Sequence, residues 1–239
     1  MAIISNTVSY LDRDTVLEGF FAYDDAIIGQ RPVVLIHHAW GGRDRFVADK
    51  ALKLAELGYL AFATDMYGKG VLGKSPEENA TLMQPFIADR AKLQQRLHAA
   101  LLTVKLMPWA DNGRVAAIGF CFGGLCALDL ARTGVDIRGV VSFHGLLGAP
   151  ENLANPRIKA KVLMLHGYDD PMASVEQVSA IQKELTKAGA DWQLHSYGHT
   201  KHAFTNPVAN NPDFGTVYQA VADRRSWQAM QNFLSEIFA

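Results

Sequence analysis

The chain has 239 residues, 49% hydrophobic and 20% charged, with a formal net charge of -1. That is enough apolar material for one α/β core, and a single domain over residues 1–239 is expected. The near-neutral balance, without a basic stripe or an acidic tail, excludes a nucleic-acid footprint, and no apolar run reaches the length of a membrane span.

Taken in chain order, residues 8–23 alternate loosely between apolar and polar around Asp12-Arg13-Asp14, which predicts an antiparallel hairpin. Residues 32–37 (Pro-Val-Val-Leu-Ile-His) are a continuous apolar run, the pattern of a strand buried on both faces. Helical spacing over 46–57 ends at Gly58, a residue suited to a helix end. A second buried strand is predicted over 59–64 and a glycine-rich loop over 66–76. Residues 77–107 read as largely helical, broken near Pro85. Further strands are predicted over 114–120, 137–143, 161–166 and 192–197, and further helices over 121–132, 175–188 and 218–238. Strands alternating with helices predict an α/β fold with a doubly wound, mostly parallel sheet behind the N-terminal hairpin.

The most informative stretch is Gly119-Phe120-Cys121-Phe122-Gly123-Gly124, directly after the apolar run Val115-Ala116-Ala117-Ile118. A strand ends, the chain turns sharply and a helix begins at the central residue. This is the nucleophile-elbow pattern, with cysteine where serine is usual. The turn puts one sulfur at the positive end of a helix, where negative charge is stabilised.

Thiol attack on an ester needs a base, a group that orients the base, and donors for the oxyanion. His202, in Thr200-Lys201-His202-Ala203-Phe204, is the expected base, with His199 its competitor. Asp170, in His166-Gly167-Tyr168-Asp169-Asp170-Pro171, is the expected orienting acid. Asp169 is a rival, and the bland reading of Asp170 is a cap for the helix that follows. The order nucleophile, acid, base is that of α/β-hydrolases. The oxyanion donors are expected to be the backbone N–H of Phe122 and one from the loop after residues 32–37, at Ala39. Cys126 reads as inert core. His98, His144, His166 and His195 read as core or surface positions and have no metal-ligand spacing with the cysteines, so no metal is expected.

One motif points elsewhere. Gly68-Lys69-Gly70-Val71-Leu72-Gly73-Lys74-Ser75 fits the phosphate-loop pattern in full. However, Met66 and Tyr67 separate it from the preceding strand, and no apolar run ending in an aspartate follows to hold magnesium. Nucleotide binding through 68–75 is therefore kept only as an alternative to a loop rimming the site.

Four segments resemble the dienelactone hydrolase family of α/β-hydrolases: Gly-Phe-Cys-Phe-Gly-Gly around Cys121, Asp65-Met66-Tyr67-Gly68, His-Gly-Tyr-Asp-Asp-Pro ending at Pro171, and His202-Ala203-Phe204. The resemblance spans nearly the whole chain. It implies an α/β-hydrolase fold, a Cys121-His202-Asp170 triad, no cofactor, and ester or lactone hydrolysis through a thioester.

Two positions depart from the family pattern. His38 stands where the family's well-studied members carry a glutamate beside the thiol. Asn206-Pro207 stands where the family places an arginine that grips a substrate carboxylate. A substrate pocket formed by His38, Trp40, Met66, Tyr67 and Phe204, with Phe122, is apolar and aromatic, which favours a neutral, fairly hydrophobic small-molecule ester or lactone. An uncharged pocket would also admit a phosphotriester, which a thiolate can attack at phosphorus. The alternative from another class is a non-catalytic binding module on the same fold.

Cys121 and Cys126 lie on one predicted helix, too far apart for a disulfide. A redox role for the pair is thereby disfavoured, and a reducing, cytoplasmic setting is expected. The segment from Met1 to Asn6 carries neither the basic stretch nor the apolar core of a signal peptide. No partner is expected beyond the substrate, neither nucleic acid nor membrane, and nothing in the sequence fixes an oligomeric state.

Overall fold

In a computed structural model, which describes residues 2–150 and 157–239, the hairpin is longer than the alternation predicts. Strand β1 (Ile3–Asp12) pairs antiparallel with β2 (Thr15–Asp24) over its full length, turning at Arg13, whose φ of 51° is left-handed. The chain divides into two compact units, Met1–Ile118 and Gly119–Ala239.

In the first unit the strand order is β1-β2-β4-β3-β5. Strand β3 (Arg31–His37) pairs in parallel with β4 (Leu60–Ala63), and β2 joins the antiparallel side of β4. Val33 to Ile36 and Leu60 to Ala63 are wholly buried, as their unbroken apolar runs require. Helix α1 (Arg45–Glu56) starts at Asp44, whose carboxylate accepts from the N–H of Val47.

The break predicted near Pro85 falls about one turn later, at Asp89. Helix α2 (Pro76–Ala88) runs through Pro85, and the chain breaks at Asp89, in extended conformation. Asp89 accepts from the N–H of Lys92 and so opens α3 (Arg90–Lys105). A side chain that caps the next helix settles the boundary, while the proline costs α2 only one hydrogen bond. On α3, buried Arg96 donates to Asp12 of β1 at 2.6 Å and to the carbonyl of Met66 at 2.6 Å. It thereby ties a helix, a strand and the loop after β4.

Strand β5 (Ala110–Phe120) leads from the first unit into the second. There α4 (Phe122–Arg132) is buried at every residue. Strands β6 (Gly139–Phe143), β7 (Lys161–Gly167) and β8 (Trp192–Tyr197) follow, all parallel, with helices α5 (Val175–Lys187) and α6 (Ala220–Phe238). Two short strands that no apolar period predicts, β9 (Asn210–Asn211) and β10 (Thr216–Val217), pair with each other. Among the described residues, no helix is long and apolar enough to cross a membrane.

A helix buried all round is expected to be apolar, yet α4 carries Asp129 and Arg132. The Arg132 guanidinium grips both oxygens of Glu184 on α5, at 2.7 and 2.8 Å, and donates to Asp129 at 2.9 Å. The bidentate geometry satisfies charges that would be costly alone. Arg132→Ala removes the cation shared by buried Asp129 and half-buried Glu184. It should cost about 3–5 kcal/mol, read as a lowered urea midpoint at unchanged slope. A loss below about 1 kcal/mol would show that the network does not hold α4 against α5.

Candidate active site

The elbow is a local consequence of sequence. A Cβ on Gly119 would lie 1.9 Å from the carbonyl oxygen of Gly123, so only glycine lets the strand end this close to the helix that follows. Cys121 then takes φ 57° and ψ -117°, a costly conformation for a side chain with a Cβ. It is fixed by its neighbours: its N–H donates to Phe143 at the end of β6, and its carbonyl accepts from Gly124. The result is a partly exposed thiol at the N-terminus of α4, whose first residue is Phe122.

The end of β7 supplies Asp170, which is buried. A Cβ on Gly167 would lie 2.5 Å from the carbonyl of Thr200, so this glycine lets the loop bearing Asp170 touch the loop bearing His202. Asp170 does not cap α5. That role belongs to Ser174, which forms a capping box with Gln177. One oxygen of Asp170 accepts from the N–H of Met172, and the other meets Nδ1 of His202 at 2.7 Å. His202 is itself buried, whereas the competing His199 is exposed.

The backbone of His202 is held by the β9–β10 segment. Its N–H donates to Gly215 and its carbonyl accepts from Val217. These clamp residues escaped sequence reasoning because two-residue strands carry no period. His144, read from sequence as a core or surface position, also contributes. Its ring lies edge-on to His202 at 5.0 Å, and its Nε2 meets Thr205 at 2.8 Å. Cys121, His144, His199 and Ala203 all have left-handed φ. Strain concentrated in one region is common where geometry serves chemistry.

Nε2 of His202 is buried, and no hydrogen bond from it has full geometry among the described residues. Burial pushes this imidazole down. The negative charge of Cys121, the hydrogen bond to Asp170 and a hydrogen-bonding contact with Cys121 outweigh burial and raise it to about 10. Cys121 therefore lies close to the ring.

The remaining predicted residues lie in the first unit, apart from Phe204, which is wholly buried in the second and rests edge-on to His144. His38 is wholly buried and uses both nitrogens on backbone: Nδ1 donates to the carbonyl of Ala39 at 2.6 Å, and Nε2 accepts from the N–H of Met66 at 3.1 Å. Burial keeps it neutral, against the hydrogen bond to Ala39. It thus braces the loop carrying Ala39. Tyr67 donates to the carbonyl of Trp40 at 2.9 Å; both are half-buried, while Met66 is fully buried. Asp65 gathers the N–H groups of Tyr67 and Gly68 on one oxygen and that of Glu18 on the other, which fixes this turn.

The glycine-rich loop differs from a phosphate cradle. The N–H of Lys74 is taken by the chain's own Glu78 carboxylate at 2.8 Å, and Ser75 caps α2. Glu77 and Glu78 in the first turn oppose an anion there. Among the described residues no cluster of His, Cys, Asp or Glu could hold a metal ion, and neither cysteine forms a disulfide.

Comparison with known proteins agrees with this architecture. A crystal structure of a dienelactone hydrolase-like promiscuous phosphotriesterase from metagenomic libraries superposes with a TM-score of 0.95, at 38% identity, over 100% of both chains. A candidate carboxymethylenebutenolidase of Yersinia pestis is 26% identical over 236 residues, covering 92% of this chain and 84% of that protein. An α/β hydrolase from a Medee basin deep-sea metagenome, at 18% identity and a TM-score of 0.70, covers 98% of both chains and shares the fold. The family model described as the Dienelactone hydrolase family matches residues 17–238. The chain therefore has the α/β-hydrolase fold and belongs to the dienelactone hydrolase family.

Proposed function

We propose that this protein hydrolyses a neutral, fairly hydrophobic ester or lactone through a thioester on Cys121, with His202 as acid and base and Asp170 orienting His202. The observation that carries this reading is the buried 2.7 Å bond between His202 and Asp170, on a ring that Cys121 also raises by its charge and by hydrogen bonding. A single domain, in a cytoplasmic setting, belongs to the same reading.

In the cycle, the Cys121 thiolate attacks the substrate carbonyl while His202 holds its proton. The N–H groups of Phe122 and Ala39 stabilise the oxyanion, each worth about 3 kcal/mol when well aimed. The intermediate collapses, the C–O bond breaks, and Nε2 of His202 gives its proton to the leaving alkoxide. Acylation also removes the charge of Cys121, the largest influence raising His202. The imidazole, now neutral, takes a proton from water, which attacks the thioester and expels the thiolate. One residue thus serves as acid in the first half and as base in the second.

The absence of an arginine at Asn206-Pro207 and the aromatic character of Trp40, Tyr67 and Phe204 support an uncharged substrate. A phosphotriester is the second reading, supported by the activity named for the metagenomic relative. There the thiolate would displace an aryloxide from phosphorus, and water would then cleave the phosphorus–sulfur bond.

A panel of p-nitrophenyl esters, lactones and a chromogenic phosphotriester tests both readings. Cys121→Ala should lose roughly 10⁴-fold or more in kcat/KM on every substrate that wild type turns over. Retention of full esterase activity by this variant would rule out the thioester.

A second test follows from the raised imidazole. A raised His contributes stability that is complete below its unfolded value of about 6.5 and is lost as pH rises through about 10. NMR of the His202 ring nitrogens should find it protonated at pH values well above neutral in wild type, and titrating lower in Cys121→Ala. Identical titrations in the two proteins would show that Cys121 does not act on His202.

A further inference from the structure

Strand β8 is the outermost strand of the second unit. Its sequence, Trp192-Gln193-Leu194-His195-Ser196-Tyr197, carries none of the devices that protect an edge: no proline, no lysine, and an unbroken register with β7. Gln193, His195 and Ser196 are exposed. On one face, alternate residues of β8 and one side of α6 line a groove of about 510 Å³.

Helix α6 runs antiparallel to this strand. Arg225 acts electrically on Tyr197, at the strand's C-terminal end. Glu236 pairs with Lys161 at 2.7 Å, and Lys161 reaches Asp191, the residue before the strand, at 3.4 Å. The groove therefore carries charged side chains at both ends. At one end Arg225 is exposed and has no ion-pair partner among the described residues. At the other, Glu236 and Asp191 share one lysine. The helical rise from Arg225 to Glu236 is about 16 Å, close to the roughly 17 Å spanned by β8.

We propose that β8 and α6 form a two-fold interface with a second copy of this chain, in which β8 pairs antiparallel with its counterpart. A two-fold axis perpendicular to the sheet, at the level of Leu194 near the strand midpoint, pairs that residue with its own copy and exchanges the two ends of the groove. It sets Arg225 of one copy opposite Glu236 of the other, twice. A symmetric contact must be self-complementary, and the opposite charges at the two ends of one strand provide that. The pairing also supplies hydrogen-bond partners for an otherwise bare edge. It bears on the site through Tyr197, whose ring lies edge-on to Phe204 at 5.6 Å, but it does not depend on the proposed chemistry.

Sedimentation velocity on the full chain tests this, with circular dichroism to confirm folding. Wild type should be a dimer at micromolar concentration. Arg225→Glu and Glu236→Lys should each raise the dimer dissociation constant at least about tenfold, by setting like charges opposite one another. The double variant should recover dimerisation, because it restores the opposition with its signs exchanged. A monomeric wild type, single variants as dimeric as wild type, or a folded double variant that stays monomeric would each overturn the interface.

Discussion

The hydrogen bond between His202 and Asp170 is the contact on which the rest of the second unit converges. Both partners are buried, so each would be costly alone. Together they fix which ring nitrogen faces Asp170 and leave Nε2 directed elsewhere. The surrounding structure serves this alignment. Gly167 lets the two loops touch, the β9–β10 segment holds the backbone of His202, and Thr205 is tied to His144. The strained backbone at Cys121 is the third element, and it persists because β6 and the first turn of α4 over-determine it.

The electrostatics give this arrangement a direction. A raised imidazole suits a resting ion pair with Cys121, and the same imidazole would be a poor base if it stayed charged. Because Cys121 is the largest cause of the rise, the proposed thioester would consume its charge and lower the proton affinity of His202 when a base is needed. In that proposal one environment supports two opposite roles in sequence, switched by the state of the sulfur. His38 stands where the family's well-studied members carry a glutamate, and burial pushes its imidazole down, away from the charged form. Its two nitrogens are committed to backbone, which assigns it to loop architecture.

Much of this was legible in the sequence because the responsible signals are local. The unbroken apolar runs of β3 and β7 could only be buried strands. The glycines around Cys121 could be read as a steric requirement of the turn, and Asp170 and His202 follow strands at the expected places. What was not legible depends on partners distant in sequence or on single side chains. The exact position of the break near Pro85, at Asp89, turns on one capping carboxylate. Arg132 and Asp129 look out of place on a buried helix until Glu184 of α5 is placed beside them. The two-residue strands that clamp His202 have no periodicity to detect, and His144 shows its place only when its ring is seen against His202.

The central claim is that a covalent bond forms between substrate and the Cys121 sulfur. Intact-protein and peptide mass spectrometry of acid-quenched turnover with a slowly hydrolysed ester examines that bond itself. The account predicts an added acyl mass on the peptide containing Cys121, present during turnover and gone when substrate is exhausted. Steady turnover with that peptide unmodified at every quench time, or with the acyl group on another residue, would contradict it.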